Sequence, residues 1–374
     1  MVVFRFFLFF GFSVFGALRR PKKAKKSKKA KKAKKKAKKQ KAKKAKMDAA
    51  DAQSAFAMGL ACANGAGVEV DKRTAVEWYR KAAEQGHKEA QFFLAFAYDE
   101  GDGVPVDKGA AVAWYRKAAE QGDECAQFFL GLMYDEGDGV HVDKAAAVEW
   151  YRRAAERGHK EAQFHLGLAY GGACGPCGPC GACEGVLSRD KAAAVEWYRK
   201  AAEQGHEGAQ RALALAYMSG DGVRVDECAA VEWYRRAADQ GDEDAQFNLG
   251  LAYERGAGVQ VDLSAAVAWY RKAADEGDKR AEFALGQLCA VEAVEAVEAT
   301  RSSAEAVEAV EAVKAVEAVE AVEWYRRAAA KGHKGAQFML GSAYAAGTGV
   351  PVDAAAAAVW YRRAARKTRD SRVE

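Results

Sequence analysis

The sequence lacks the short motifs that mark the common catalytic sites. It contains no GxSxG nucleophile elbow, no P-loop, no HExxH helix and no EF-hand loop. Carboxylates are frequent, but they recur at the same places in every unit of the chain, which is typical of solvated surfaces. These absences argue against the corresponding classes of enzyme. We therefore expect no enzymatic activity and no small-molecule substrate.

Long apolar runs are also scarce. Residues 48–374 contain no run that is long and apolar enough to span a membrane, and the strongly apolar stretch is confined to residues 6–18. This stretch is short for a membrane span and typical of the apolar region of a signal peptide, whereas the basic residues behind it favour an outward N-terminus and a cytosolic body. We predict that residues 1–20 form a signal or anchor segment. The protein would then be membrane-associated or in the secretory pathway, or cytoplasmic if translation starts at Met47.

Acidic residues are absent from the first 47 positions, where seventeen lysines lie between Lys22 and Lys46. With three arginines this segment carries +20, so the net charge of +6 leaves −14 for residues 48–374. A run of like charges repels itself, and we predict a disordered basic arm over residues 21–46. This arm is either a solvated tail or a binder of anionic surfaces, through nonspecific and salt-dependent contacts with a membrane surface or with nucleic acid.

The sequence does contain a ladder of eight tryptophans, each followed by a tyrosine. Their spacing is 36 residues, except for two larger gaps of 47 and 55 residues. A fixed period of this kind is the signature of a tandem array, in which each period builds one supersecondary unit. The function of such an array lies on its accumulated surface. The tryptophans are Trp78, Trp114, Trp150, Trp197, Trp233, Trp269, Trp324 and Trp360.

Residues 71–107 show what one unit builds. Asp71 is a typical helix N-cap, and small or apolar residues follow it at i, i+3, i+4, i+7 and i+8, which is one face of an α-helix. Gly86 ends this helix, and a second amphipathic stretch and a Gly-x-Gly-Val turn follow. Each unit is therefore predicted to be two short helices that bury their apolar faces by stacking on neighbouring units. A small residue that would let the helices approach closely recurs at Ala95, Gly131, Gly167, Ala214, Gly250, Gly286 and Gly341.

In the third unit the recurring pattern consists of Ala126-Gln127, Leu130-Gly131, Tyr134, Gly137-Asp138-Gly139-Val140, Asp143 and Trp150-Tyr151-Arg152-Arg153-Ala154-Ala155. This pattern resembles the Sel1-like repeat family, a relative of the tetratricopeptide repeats. The resemblance implies an all-α protein, a right-handed α-solenoid of about eight two-helix repeats over residues 47–367, followed by a tail at residues 368–374.

The resemblance also implies a function. Members of this family look like non-enzymatic scaffolds and adaptors that gather proteins or peptides, including in membrane-associated complexes such as endoplasmic-reticulum-associated degradation. Some bacterial members carry a regular cysteine pair in each repeat, and the alternative is therefore a metal-binding or hydrolytic enzyme of this cysteine-rich type. Four cysteines of this chain occupy unmatched repeat positions, namely Cys62, Cys125, Cys228 and Cys289.

The 47-residue gap contains a loop insert over residues 171–185, rich in glycine and proline. Its four cysteines, each separated by two residues, are Cys174, Cys177, Cys180 and Cys183. Thiolates at this spacing can bind zinc or another thiophilic metal. The alternative is a disordered or variably oxidised loop at a place where insertions do little harm, with no cofactor.

The 55-residue gap is filled by Ala-Val-Glu triplets over residues 290–322. Alanine and glutamate favour helix, and Ser302 with Glu305 forms a capping box after a short break. We predict one helix that ends near residue 299 and another that runs from about 303 through Trp324. The segment is either a spacer that projects from the array or a neutral triplet expansion.

Four histidines follow the glycine that ends a helix, at positions where other repeats have aspartate. This interchange favours a role in helix capping rather than in catalysis. The four are His87, His159, His206 and His333.

One face of the second helix varies between repeats while its neighbours stay constant. In related solenoids a helix of each pair lines the concave surface, and we predict a partner-binding groove on this face. Its predicted lining is Phe93, Phe96, Phe129, Leu132, His165 and Leu168. The alternative is that these phenylalanines only pack between repeats, and full burial of Phe93 and Phe129 would exclude the groove.

Overall fold

The computed structural model describes residues 51–172, 189–299 and 304–366, which form sixteen α-helices joined by short turns. The first eight are α1 (Ala52–Asn64), α2 (Lys72–Glu84), α3 (Lys88–Glu100), α4 (Lys108–Glu120), α5 (Glu124–Glu136), α6 (Lys144–Glu156), α7 (Lys160–Gly171) and α8 (Lys191–Glu203). The others are α9 (Glu207–Ser219), α10 (Glu227–Asp239), α11 (Glu243–Arg255), α12 (Leu263–Glu276), α13 (Lys279–Ala299), α14 (Ala304–Ala330), α15 (Lys334–Ala346) and α16 (Ala354–Ala365). The prediction of an all-α array of paired helices is confirmed.

The described helices belong to two compact units, one that ends at Gln91 and one that begins at Phe92. In the first unit α1 packs against α2. In the second unit each odd-numbered helix from α5 onward packs against the even-numbered helix that follows it, and that helix packs against the next odd-numbered one. Even-numbered helices carry the Trp-Tyr pair, and odd-numbered helices carry an Ala-Gln-Phe-x-Leu motif or a close variant. Helices that pack against both their partner in the repeat and the helix of the next repeat form a solenoid.

Aspartate side chains start the even-numbered helices of the regular repeats. Asp143 is typical, since its Oδ1 accepts a hydrogen bond of 2.9 Å from the backbone N–H of Ala146 and satisfies one of the free donors of the first turn. The odd-numbered helices other than α13 end at glycines, such as Gly137 at φ 83°, whose backbone N–H donates to the carbonyl of Met133. Glycine is favoured here because a side chain disfavours the left-handed backbone.

Histidines cap odd-numbered helices, as the sequence predicts. In His159, His206 and His333 the Nδ1 atom accepts a hydrogen bond of 3.1–3.2 Å from a backbone N–H of the first turn. His87 makes the same contact at 3.3 Å. Because Nδ1 accepts, the ring proton lies on Nε2, which in His206 donates to Glu161 Oε2 at 2.8 Å. These rings are therefore structural.

The core is a row of small clusters, each built mainly from an even-numbered helix and the odd-numbered helix that follows it. The odd-numbered helix can approach the tyrosine of the next even-numbered helix closely only because of the recurring small residue, as predicted. A Cβ atom on Gly131 would lie 2.7 Å from the ring carbons of Tyr151, which is closer than van der Waals contact allows. The tyrosine of the pair is buried in most repeats, as in Tyr115 and Tyr151.

Most tryptophans, by contrast, stay half-buried at the edge of these clusters. A basic side chain three residues further along the helix covers the exposed ring face. The Lys117 Nζ atom lies 3.7 Å from the ring centroid of Trp114, and the Arg153 guanidinium lies 4.6 Å from that of Trp150. This cation–π contact explains why the ladder tolerates partial exposure.

The Ala-Val-Glu expansion is helical in the two stretches that the sequence predicts, Lys279–Ala299 and Ala304–Ala330. Most of the Cys-rich insert, residues 173–185, lies outside the described residues, as do the apolar segment 1–20 and the basic arm 21–46. Within the part of the chain that the structure describes, no helix combines the length and apolarity needed to cross a membrane.

Candidate partner-binding face

The six predicted groove residues lie on three odd-numbered helices, α3, α5 and α7, two on each. All six belong to the unit that begins at Phe92. Because consecutive odd-numbered helices occupy the same place in successive repeats, residues at matching positions form rows that run from one repeat to the next.

An aromatic cluster joins α3, α4 and α5. The Phe129 ring stacks on Tyr115, with centroids 5.4 Å apart and an interplanar angle of 5°. Phe96 meets Phe129 edge-on at 6.3 Å, and Phe92 lies 5.8 Å from Phe129. Phe93 is half-buried and meets Phe92 edge-on at 5.6 Å. Phe96 keeps 37% of its surface exposed, so the cluster is anchored in the core and reaches the surface.

Leu132, His165 and Leu168 are half-buried on α5 and α7. Leu132 packs against the cluster around Tyr151, and the His165 ring lies 5.2 Å from Tyr151 and 5.4 Å from Phe128. Burial among these rings lowers the pKa of His165 to about 4, so the imidazole is neutral at physiological pH. The Leu132, His165 and Leu168 side chains therefore carry no charge at physiological pH.

The structure thus brings Phe96 and Phe129 into direct contact and places both Phe129 and Leu132 on the core around Tyr151. Phe93 and Phe129 are half-buried, so the condition that would exclude the groove is not met. The same side chains also pack between repeats, which was the alternative. The groove remains a prediction that this geometry permits.

The row of Phe96, Leu132 and Leu168 continues beyond the residues that the sequence singled out. Leu215 on α9 holds the matching position and keeps 58% of its surface exposed. The sequence alone could have identified Leu215 as a member of this row, because Leu215 follows the Ala-Gln pair of its helix by the same number of residues as Phe96 does.

Further along, the odd-numbered helices carry an ionic cluster in place of aromatic rings. Arg211 on α9 stands where other repeats have phenylalanine, and its guanidinium pairs with Asp242, at 3.1 Å from Nε, and with Asp244. Arg280 on α13 pairs with the other oxygen of Asp244 and with Asp278, both at 2.5 Å. Asp244 therefore bridges an arginine on the preceding repeat and an arginine on the following repeat.

Burial raises the pKa of the Asp242 carboxyl, although the Arg211 charge opposes this effect. The pKa of Arg280 is raised by its hydrogen bonds to Asp278 and Asp244, so the guanidinium stays charged. The substitution of arginine for phenylalanine was visible in the sequence. The pairing was not, because it joins residues 33 and 36 positions apart that only the stacking of repeats brings together.

No described residue supports a metal centre, since residues 51–172, 189–299 and 304–366 hold no cluster of three or more metal-ligating side chains. The predicted ligands Cys174, Cys177, Cys180 and Cys183 lie outside these residues. The other cysteines, Cys62, Cys125, Cys228 and Cys289, lie in different repeats.

Comparison with known proteins agrees with the fold. The chain resembles the protective antigen c5321 of uropathogenic Escherichia coli, which displays an SLR fold, with 36% identity over 84% of this chain and 68% of that chain and a TM-score of 0.61. It resembles a Sel1 repeat protein from Oxalobacter formigenes with 32% identity over 87% of this chain and 86% of that one and a TM-score of 0.59. No significant match occurs among curated proteins. Matches to the Sel1 repeat cover residues 52–87, 88–123, 126–159, 180–206, 208–242, 243–278, 313–333 and 335–368.

Proposed function

This chain belongs to the Sel1 repeat family, and we propose that it is a non-enzymatic scaffold that binds a protein or peptide along its odd-numbered helices. The observation that carries this proposal is the change in character of one helix face from repeat to repeat. The face is aromatic and aliphatic around Phe96 and Phe129 and ionic around Arg211, Asp244 and Arg280. The residues that build the fold repeat with little change.

The aromatic part has the properties of a binding anchor. Phe129 is held by its stack on Tyr115, so little side-chain freedom remains to be lost when a partner binds. Phe96 is exposed next to it, and rings in partly formed apolar pockets dominate the energetics of many interfaces. A partner segment with an apolar anchor at this cluster fits the proposal.

The ionic part supports specificity rather than raw affinity. Arg211 and Arg280 both pair with Asp244, and all three side chains retain partial exposure, so a partner must match their arrangement in order to displace water without leaving a charge unpaired. Assembly into a membrane-associated complex, such as one for endoplasmic-reticulum-associated degradation, stays a prediction that depends on residues 1–20.

Site-specific photo-crosslinking in the producing cells tests the proposal. A benzoyl-phenylalanine at position 96 or 215 should trap the same discrete partner, because both positions lie on the proposed face. Matched probes at Val142 and Val261, which are apolar and exposed but lie in turns, should not trap it. Equal trapping at all four positions, or none at 96 and 215, would show that the face does not bind the partner.

A further inference from the structure

A buried glutamine recurs near the start of the odd-numbered helices. In Gln127, Gln163 and Gln210 the Nε2 atom donates to the carbonyl of the residue eight positions earlier, at 3.0–3.1 Å. These side chains are buried. The Nε2 bond fixes the orientation of the amide, and the Oε1 atom is left to accept a hydrogen bond from another source.

At two junctions that bond comes from the end of the even-numbered helix of the next repeat. Gln204 Nε2 donates to Gln163 Oε1 at 2.8 Å, and Gln240 Nε2 donates to Gln210 Oε1 at 2.7 Å. At each of these two junctions one carboxamide therefore binds another. We call each buried glutamine and the space in front of its Oε1 a glutamine seat.

The seat at Gln127 is different, because the residue that matches Gln204 in the next repeat is Arg157. Gln127 is 4% exposed, and its Oε1 atom has no hydrogen-bond donor among the described residues. A cavity of about 400 Å³, lined in part by Gln127, adjoins this seat. The Oε1 atom itself is buried, so a ligand in the cavity reaches it only when the side chains that cover it move aside. Its lining is Ala119, Glu120, Gly122, Gln127, Arg153, Glu156 and Arg157.

The guanidinium groups of this cavity are not equivalent. Arg153 is engaged, since it covers the Trp150 ring and its Nε donates to Glu149 at 3.2 Å. Arg157 lies over Gly122, and it makes no ion pair or side-chain hydrogen bond within the described parts of the chain. The cavity therefore combines a buried acceptor with an available planar donor.

We propose that this cavity binds a carboxamide, as carried by an asparagine or glutamine side chain of a partner polypeptide. The carboxamide N–H donates to Gln127 Oε1, as Gln204 does to Gln163. The carbonyl oxygen of the carboxamide accepts a hydrogen bond from Arg157. A ligand with an ammonium group could not make this second contact, because an ammonium group has no acceptor. A group that satisfies a buried acceptor is favoured, because an unpaired buried oxygen carries a desolvation cost.

This inference does not depend on the proposed function. The seat uses the ends of α4 and α6 and the start of α5, whereas the proposed binding face uses Phe96, Phe129 and Leu215. Variants of the seat and variants of the face can therefore fail or succeed separately.

Propionamide is the probe, and the readout is the NMR signal of the Gln127 side-chain NH₂ group in the full-length protein, assigned with Gln127→Ala. We expect a saturable shift with a dissociation constant on the order of 1–10 mM for a ligand of this size. N,N-dimethylpropionamide, which has the carbonyl but no N–H, is the matched control and should give no saturable shift. Saturation by both compounds, or by neither, would overturn the proposal.

Two variants complete the test. Arg157→Gln supplies the protein's own carboxamide, so it should abolish propionamide binding and raise the melting temperature by about 1–3 °C. Gln240→Ala removes the donor at Gln210 and should create a second propionamide site, seen at the Gln210 side-chain signal. Unchanged binding in Arg157→Gln, or no new site in Gln240→Ala, would show that the seat does not recognise a carboxamide.

Discussion

Replacing Glu276 with glutamine should stabilise the array locally. Gln246 on α11 donates from Nε2 to the Ala238 carbonyl at 3.3 Å, but its buried Oε1 has no donor within the described residues. In the preceding repeat the matching oxygen of Gln210 receives a hydrogen bond from Gln240. The residue that matches Gln240 is Glu276, and an ionised carboxylate has no hydrogen to donate.

The size of the effect follows from the cost of an unpaired buried acceptor. Installing the missing donor should raise the free energy of unfolding of this region by about 1 kcal/mol, the net value of one buried hydrogen bond. The reverse change, Gln240→Glu, removes the donor from Gln210 Oε1 and brings a carboxylate towards it. It should lower the free energy of unfolding by about 1–3 kcal/mol.

Urea unfolding shows whether each variant raises or lowers the free energy of unfolding. Hydrogen exchange of the α9–α12 amides shows which helices are affected, because a repeat array need not unfold as one unit. Glu232→Gln is the matched control, since it removes the same charge from the exposed surface of α10. Equal stabilisation by Glu232→Gln would assign the effect to net charge. A shift of Glu276→Gln and Gln240→Glu in the same direction would refute the reasoning.

Three further predictions concern other parts of the fold. Phe128→Ala should lower the free energy of unfolding in urea by about 3–4 kcal/mol, because the ring is 8% exposed and stacks on His159 at 4.8 Å. Phe338 is 55% exposed, so Phe338→Ala should lower it by about 1 kcal/mol or less. Equal losses in the two variants would contradict this account. The contribution of neutral His165 to the free energy of unfolding should be complete above pH 6.5 and should decrease as the pH falls towards 4. In this range the unfolded chain binds a proton at His165, whereas the folded protein, in which the pKa of His165 is about 4, does not. The loss should approach about 3 kcal/mol in thermal unfolding at low pH relative to His165→Asn, and parallel pH profiles of the two proteins would refute this assignment. Asp143→Ala should lower the free energy of unfolding by about 1 kcal/mol, because it removes the hydrogen bond that caps Ala146. Asp143→Ser should retain most of this stability, and melting followed by circular dichroism distinguishes the two variants.

Much of the fold could be predicted from the sequence, because its determinants are local. Asp143, Gly137 and His159 act within one turn of their own helix, so their spacing reveals caps and helix ends directly. The Trp-Tyr period fixes the repeat unit, and the triplet composition was enough to place α13 and α14.

Contacts between repeats could not be predicted in this way. Gln163 and Gln204 are 41 residues apart, and nothing in either sequence position indicates that they share a hydrogen bond. The bridge from Arg211 through Asp244 to Arg280 likewise depends on the stacking of three repeats. The variable face was visible as variation, but the depth of burial of Phe129 depends on Tyr115 of the neighbouring helix.

The affinity of the crosslinked partner for two matched double variants tests the central claim most directly. Phe96→Ala with Leu215→Ala removes two exposed apolar side chains from the odd-numbered helices, and Val142→Ala with Val261→Ala removes two from the turns. We predict that the first variant weakens binding at least tenfold, about 1.4 kcal/mol, while the second binds like the unmodified protein. Unchanged binding by the first variant, or equal loss in both, would contradict a scaffold that binds through this face.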